Sequence, residues 1–129
     1  MILEQEGKKT VDNPTVNQIK KAISSLRSYG PSSFASITNS GGKYLQVAGG
    51  GSTCMLELYD PENKQRFRAF SDKQNPAFPD GTLLVFGAGK LAMRSDEWFF
   101  ADKVAEAFCN FSRDEPLPID IKWRLAPGF

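Results

Sequence analysis

The feature that most constrains this chain is a change of apolar period at Pro31. Before it, Val16, Ile19, Ile23 and Leu26 recur at spacings of three and four, the one-face pattern of an amphipathic helix. After it, apolar and polar residues alternate in short runs separated by gaps rich in Gly, Asn and Pro. Such gaps hold no crossover helix, which a parallel sheet requires, so the strands are expected to pair as antiparallel hairpins. The fold class is α+β: a mainly antiparallel sheet of about five to seven strands, with an N-terminal helix and a second helix before the last strand.

Punctuation places the elements. Residues 1–12 are polar and aperiodic and predict a flexible lead, leaving 13–129 as one domain. Asn13-Pro14 predicts the helix start and Tyr29-Gly30-Pro31 its end. Phe34 to Thr38 and Lys43 to Ala48 read as a hairpin around Asn39-Ser40-Gly41-Gly42. Cys54 to Tyr59 alternates Cys54, Leu56 and Leu58 against Met55, Glu57 and Tyr59, and Gln65 to Phe70 returns after the turn residues Asp60 to Asn63. A tight turn over 61–64 predicts Tyr59 opposite Arg66, Leu58 opposite Phe67 and Glu57 opposite Arg68, with apolar pairs on one face and opposite charges on the other. Residues 71–81 predict a loop, and Thr82 to Phe86 with Leu91 to Arg94 a further hairpin. A strand is expected to continue to Phe100. Asp102 would then cap a helix reaching Ser112, buried through Val104, Ala107, Phe108 and Phe111. Alternation of Ile119, Ile121, Trp123 and Leu125 predicts the last strand.

Composition excludes several functions. Sixteen basic and fifteen acidic residues leave a charge of +1, without the basic excess of a nucleic-acid binder. The opening residues lack the basic region and apolar run of a secretory signal, and no run of 18 or so apolar residues is present; the expectation is a cytoplasmic protein with no membrane partner. Cys54 and Cys109 are expected to be reduced, buried side chains. The chain has no histidine. Serine–histidine and cysteine–histidine nucleophile systems are thereby removed, with nearly all ordinary zinc sites. Neither a cofactor nor a metal is expected.

Other candidate chemistry reads better as structure. The adjacent pairs Asp96-Glu97 and Asp114-Glu115 would point to opposite faces of a strand and do not converge as catalytic carboxylates. Gly49-Gly50-Gly51 and Gly87-Ala88-Gly89-Lys90 lack the helix and the flanking residues of a phosphate loop, and are read as turns. Trp98 and Trp123 are expected in packing. No catalytic residue is assigned, and the chain is read as a non-enzyme.

Lys43 to Gly50, Leu56 to Tyr59, Phe67 to Phe70, Glu97 to Phe100 with Val104, Ala107, Phe108 and Phe111, and Ile121 to Arg124 share a pattern with a known group. Together these pieces, over residues 33–125, resemble bacterial immunity proteins of the Imm type, from contact-dependent inhibition and polymorphic toxin systems. Such proteins carry a Tyr-x-Gln strand ahead of glycine and a closing Trp-Arg strand; here the strand after Leu56 ends in Tyr59 where Arg is expected. The resemblance implies a binding protein that neutralises a cognate toxin domain by occluding it. The contact surface expected from the residues is the outward face of the second hairpin, Glu57, Tyr59, Arg66 and Arg68, with the edge at Asp96 and Glu97 next. Two alternatives stand beside this. One is a small-ligand or carboxylate-based enzyme domain with a pocket between the sheet and the second helix; the other is a dimer module with a self-complementary apolar patch.

Overall fold

The computed structural model describes residues 1–127; positions 128 and 129, the end of the expected domain, lie outside the described residues. The chain runs β1 (Ile2–Gln5), β2 (Val11–Asp12), α1 (Val16–Ser25), β3 (Phe34–Thr38), β4 (Tyr44–Gly50), β5 (Thr53–Asp60), β6 (Gln65–Phe70), β7 (Thr82–Phe86), β8 (Gly89–Met93), α2 (Ala101–Ser112) and β9 (Lys122–Leu125). Seven strands form one antiparallel sheet in the order β2-β1-β3-β4-β5-β6-β9, and β7 and β8 pair separately. This is the expected α+β class.

Both helices lie on one face of the large sheet. Ile19, Ile23 and Leu26 from α1 and its end, with Val104, Phe108 and Phe111 from α2, meet Ile37, Leu45, Val47 and Leu56 from the central strands. Full burial of each such side chain contributes about 1.5–3 kcal/mol of transfer free energy. Gly49 and Gly50 permit this packing. Gly49 has φ 88°, and a methyl on Gly50 would overlap the backbone of Leu26 and Arg27 where α1 ends. The hairpin of β5 and β6 has the expected register, with Glu57 opposite Arg68, Leu58 opposite Phe67 and Tyr59 opposite Arg66.

Several local expectations fail, each for a physical reason. Residues 1–12 are not a loose lead, because β1 pairs with β3 and presents Leu3 to the core. A four-residue strand is too short to show a period; tertiary pairing determines it. Thr15, not Asn13, caps α1: its hydroxyl accepts from the Gln18 amide while the Gln18 side chain accepts from the Thr15 amide. This reciprocal box satisfies two free amides, and Asn13 instead takes a positive φ of 49°. Ser95 to Phe100 is not a strand. Glu97 bonds back to Arg94 in a turn, leaving a single bridge between Cys54 and Phe99. Phe100, rather than Asp102, occupies the cap position of α2, and Asp102 sits in its first turn. The last strand begins only at Lys122; Ile119 lies in the preceding turn and is 97% exposed.

The β7–β8 hairpin crosses the sheet face opposite the helices. Leu84 and Met93 bury against Ala48 and Met55, flanked by Phe86, Leu91 and Trp98. A second, smaller core therefore closes part of the outer face. The rest of that face stays open.

Candidate functional site

Strand register assembles a polar row on the outer face. Glu4, Ser36, Gln46, Glu57, Arg68 and Arg124 are successive cross-strand neighbours on β1, β3, β4, β5, β6 and β9. Because side chains alternate along each strand, all six point away from the helices. One row thus spans the sheet, from an acidic end at β1 to a basic end at β9.

Its centre is not the solvated surface expected for Glu57, Arg68 and Glu97. Arg68 is 1% exposed, and Glu57 and Glu97 are each 2% exposed, covered by the β7–β8 hairpin and the turn after it. The alternation of charge and apolar residues was visible in the sequence, but a hairpin 24 residues downstream returns to cover them, as the bond from Arg68 to Ala92 shows. Nε and Nη2 of Arg68 donate to Glu57 Oε2 at 3.1 and 3.0 Å. Nη1 donates to the Ala92 carbonyl at 3.2 Å and lies 3.5 Å from Glu97 Oε1. Glu57 Oε1 accepts from Gln46 at 2.8 Å and from Arg66 at 3.3 Å. Glu97 Oε1 accepts the Arg94 amide at 2.8 Å. These charges are desolvated, so their stability depends on every lone pair and N–H being matched. The network ties strand, hairpin and turn together.

Asp96 and Glu97 diverge at the turn that follows β8. Asp96 Oδ2 accepts from Arg124 at 2.7 Å near the surface while Glu97 points inward. Arg124 also lies 3.9 Å from the Phe70 ring centre, a cation–π contact at the β9 edge.

Between the hairpin and the β1–β3–β4 half of the outer face runs a groove of about 520 Å³. Ser36, Gln46, Ala48, Met55 and Glu57 are among the residues of its sheet side; Glu4, Glu6, Lys8, Phe34, Arg66, Phe86, Lys90 and Leu91 also line it. Two contacts join the hairpin tip to the sheet beside it. Phe86 meets Phe34 edge to face, with ring centres 6.1 Å apart. The Ser33 hydroxyl donates to Glu6 Oε1 at 2.6 Å and accepts from the Gly87 amide at 2.8 Å. Beside the groove, Tyr44 and Tyr59 stack with ring centres 5.0 Å apart, and Arg66 follows Tyr59 across the strand pair. Burial raises the Tyr44 phenol above its ordinary value, opposed by Arg66 and aided by Glu57 and Tyr59.

Of the six residues chosen from sequence, Tyr59 and Arg66 are half-buried at the open surface, Asp96 is half-buried at the β9 edge, and Glu57, Arg68 and Glu97 form the network beneath. The groove brings in Glu4, Glu6, Ser36 and Gln46, which sequence reasoning missed. Glu4 and Glu6 belong to a segment too short to show a period, and Ser36 and Gln46 join them only through strand register. Between the sheet and α2, Leu56, Val104, Phe108 and their neighbours pack together; the groove is on the other face.

Cys54 and Cys109 are both free and buried. Burial pushes the Cys54 thiol up to about 12, with Arg27 opposing and Asp102 adding to the effect. Burial also raises Cys109, against Lys20 and Arg113. Neither is therefore a thiolate nucleophile near neutral pH. Among the described residues no group of three or more His, Cys, Asp or Glu side chains is placed to hold a metal ion, and no helix is long and apolar enough to cross a membrane. No protein-family model matches the chain, and no curated protein is similar to it.

Proposed function

We propose that this chain is an immunity-type binding protein, acting in the bacterial cytoplasm, that neutralises a cognate toxin domain by occluding it with the outer sheet face. The observation that carries this reading is the build of that face: a groove flanked by stacked Tyr44 and Tyr59, set over a buried charge network. Rigid aromatic side chains beside Arg66 suit the anchor residues of protein interfaces, because they contribute contact area at little entropic cost. The network holds β5, β6 and the hairpin in one geometry before binding, which lowers the cost of association. Tyr59 and Arg66 keep the contact role expected from sequence, joined by Tyr44. Glu57, Arg68 and Glu97 become the support beneath them. The segments carrying the family resemblance also lie together, in β4, β5, β6, α2 and β9.

The test asks whether the gene immediately upstream encodes a large secreted protein with a toxic C-terminal domain, and then uses that domain. Co-expression with the wild-type chain is expected to restore viability, and calorimetry to give a stable complex. Tyr59→Ala is expected to weaken that complex more than tenfold with its thermal midpoint nearly unchanged. A toxin domain that stays lethal and unbound would sink the reading.

A further inference from the structure

A strand at the end of a ladder offers backbone groups to any other strand unless it is short, charged or covered. β2 is two residues long, and β9 carries Lys122 and Arg124. The outward carbonyl of Ala92 on β8 accepts from Arg68. β7 has none of these protections, since Thr82-Leu83-Leu84-Val85-Phe86 contains neither a charge nor a proline. The hairpin register fixes which of its groups are free. Gly87-Ala88 is a two-residue turn, so Phe86 and Gly89 exchange hydrogen bonds, as do Leu84 with Leu91 and Thr82 with Met93. The N–H and C=O of Leu83 and Val85 therefore point away from β8, and among the described residues they have no hydrogen-bond partner. Both side chains are 54% exposed and outside either core, while Leu84 between them is buried. The groove is lined by the hairpin tip and β8 and by neither Leu83 nor Val85, so this edge is a separate surface.

We infer that a second copy of this chain covers the β7 edge, pairing antiparallel with β7 about a twofold axis at Leu84. The strand is self-complementary in that register. Leu83 faces Val85 of the second copy and Val85 faces its Leu83, so the free groups of each meet those of the other and every such pair exchanges both its bonds. The aliphatic side chains of both copies then adjoin on the exposed face of a ribbon ordered β8-β7-β7-β8. No charge is set against its like. The same pairing at β9, whose outward groups belong to Trp123 and Leu125, would place Arg124 against Arg124. Pairing uses up the edge it needs, so association stops at two copies. A contact between two short strands is small, which puts the dimer among the weak, concentration-dependent ones. The inference does not depend on the toxin-binding reading.

The test follows the full chain from micromolar to millimolar concentration by sedimentation equilibrium and by amide hydrogen exchange. A monomer–dimer equilibrium is expected, with the amides of Leu83 and Val85 gaining protection as the dimer fills, and those of Lys90 and Ala92 on β8 unchanged. Val85→Pro removes an outward N–H, and Leu83→Lys brings two ammonium groups close to the axis. Each is expected to raise the dimer Kd roughly tenfold or more. Neither position packs in a core, so the thermal midpoint of the dilute chain should stay near wild type. If Val85→Pro does not fold, Leu83→Lys decides alone. A chain that stays monomeric at millimolar concentration, edge amides whose exchange ignores concentration, or a dimer that Leu83→Lys leaves intact would overturn the inference. Protection that appears only when the toxin domain is added would overturn it too, and would give the edge to that partner.

Discussion

Replacing Arg68 by Met tests whether the buried charges hold the outer face together. The guanidinium is 1% exposed and makes two bonds to Glu57, one to the Ala92 carbonyl and a 3.5 Å contact with Glu97. Methionine approximates its stem but supplies no donor, so Glu97 keeps only the Arg94 amide and the more distant Arg124, and Glu57 keeps Gln46 and Arg66. Breaking a buried pair from one side costs about 3–5 kcal/mol, much of it from the charge left behind. Domains of this size typically have a total stability of about 5–15 kcal/mol. For a chain between the small and large domain classes, each kcal/mol lowers the midpoint by roughly 3–5 °C, giving a drop of about 10–25 °C. Urea unfolding followed by circular dichroism should show the midpoint concentration falling at nearly constant slope. The cost should belong to the unpaired charge and not to lost volume. The triple variant Glu57→Met, Arg68→Met, Glu97→Met is therefore expected to recover most of it, since buried ion pairs often exchange for apolar groups at little net cost. A single variant within about 1 kcal/mol of wild type, or a triple variant no better than the single, would refute this account of the network.

Three further outcomes follow from the packing. Gly50→Ala should destabilise the chain by roughly 3 kcal/mol or prevent folding, because the added methyl meets the fixed backbone at Leu26 and Arg27; a midpoint near wild type would show that α1 can move. Thr15→Ala should cost about 1 kcal/mol in urea unfolding by removing one half of the capping box, and no loss would mean the cap is satisfied by water. The Cys54 thiol, raised to about 12 by burial, favours the folded state below the ordinary thiol range, and that contribution is lost as pH rises from about 9 toward 12. Wild type should therefore lose more stability across that window than Cys54→Ala, and a thiol reagent at pH 8 should label Cys54 only on unfolding; parallel pH curves or rapid native labelling would contradict it.

Much of the fold was legible because it rests on local pattern. The alternation in Cys54 to Tyr59 and the charge match of Glu57 with Arg68 were enough to set a register, since a one-residue slip would turn Leu58 to the outer face. What sequence could not supply was the identity of the layer above that outer face. Glu57 and Arg68 read as a solvated pair until the β7–β8 hairpin, joined by a loop with no period, folds back across them. The same limit hid β1, whose four residues gain their partner only when β3 is in place. The groove acids were missed with it. The pairing of Tyr59 with Arg66 was legible because it lies within one hairpin, and the groove was illegible because distant segments assemble it.

The separateness of the β7–β8 ladder bears on how the groove can diversify. One side of the groove belongs to the seven-strand sheet, whose side chains are fixed by two cores and the charge network. The opposite wall belongs to a hairpin that satisfies its own backbone pairing and touches the large sheet through a few anchors, chiefly Leu84, Met93, Ser33 and Arg68. Substitution at the remaining hairpin positions therefore alters the width and chemistry of the opening without disturbing a ladder bond of the large sheet. A scaffold built this way separates the residues that folding requires from those free to change.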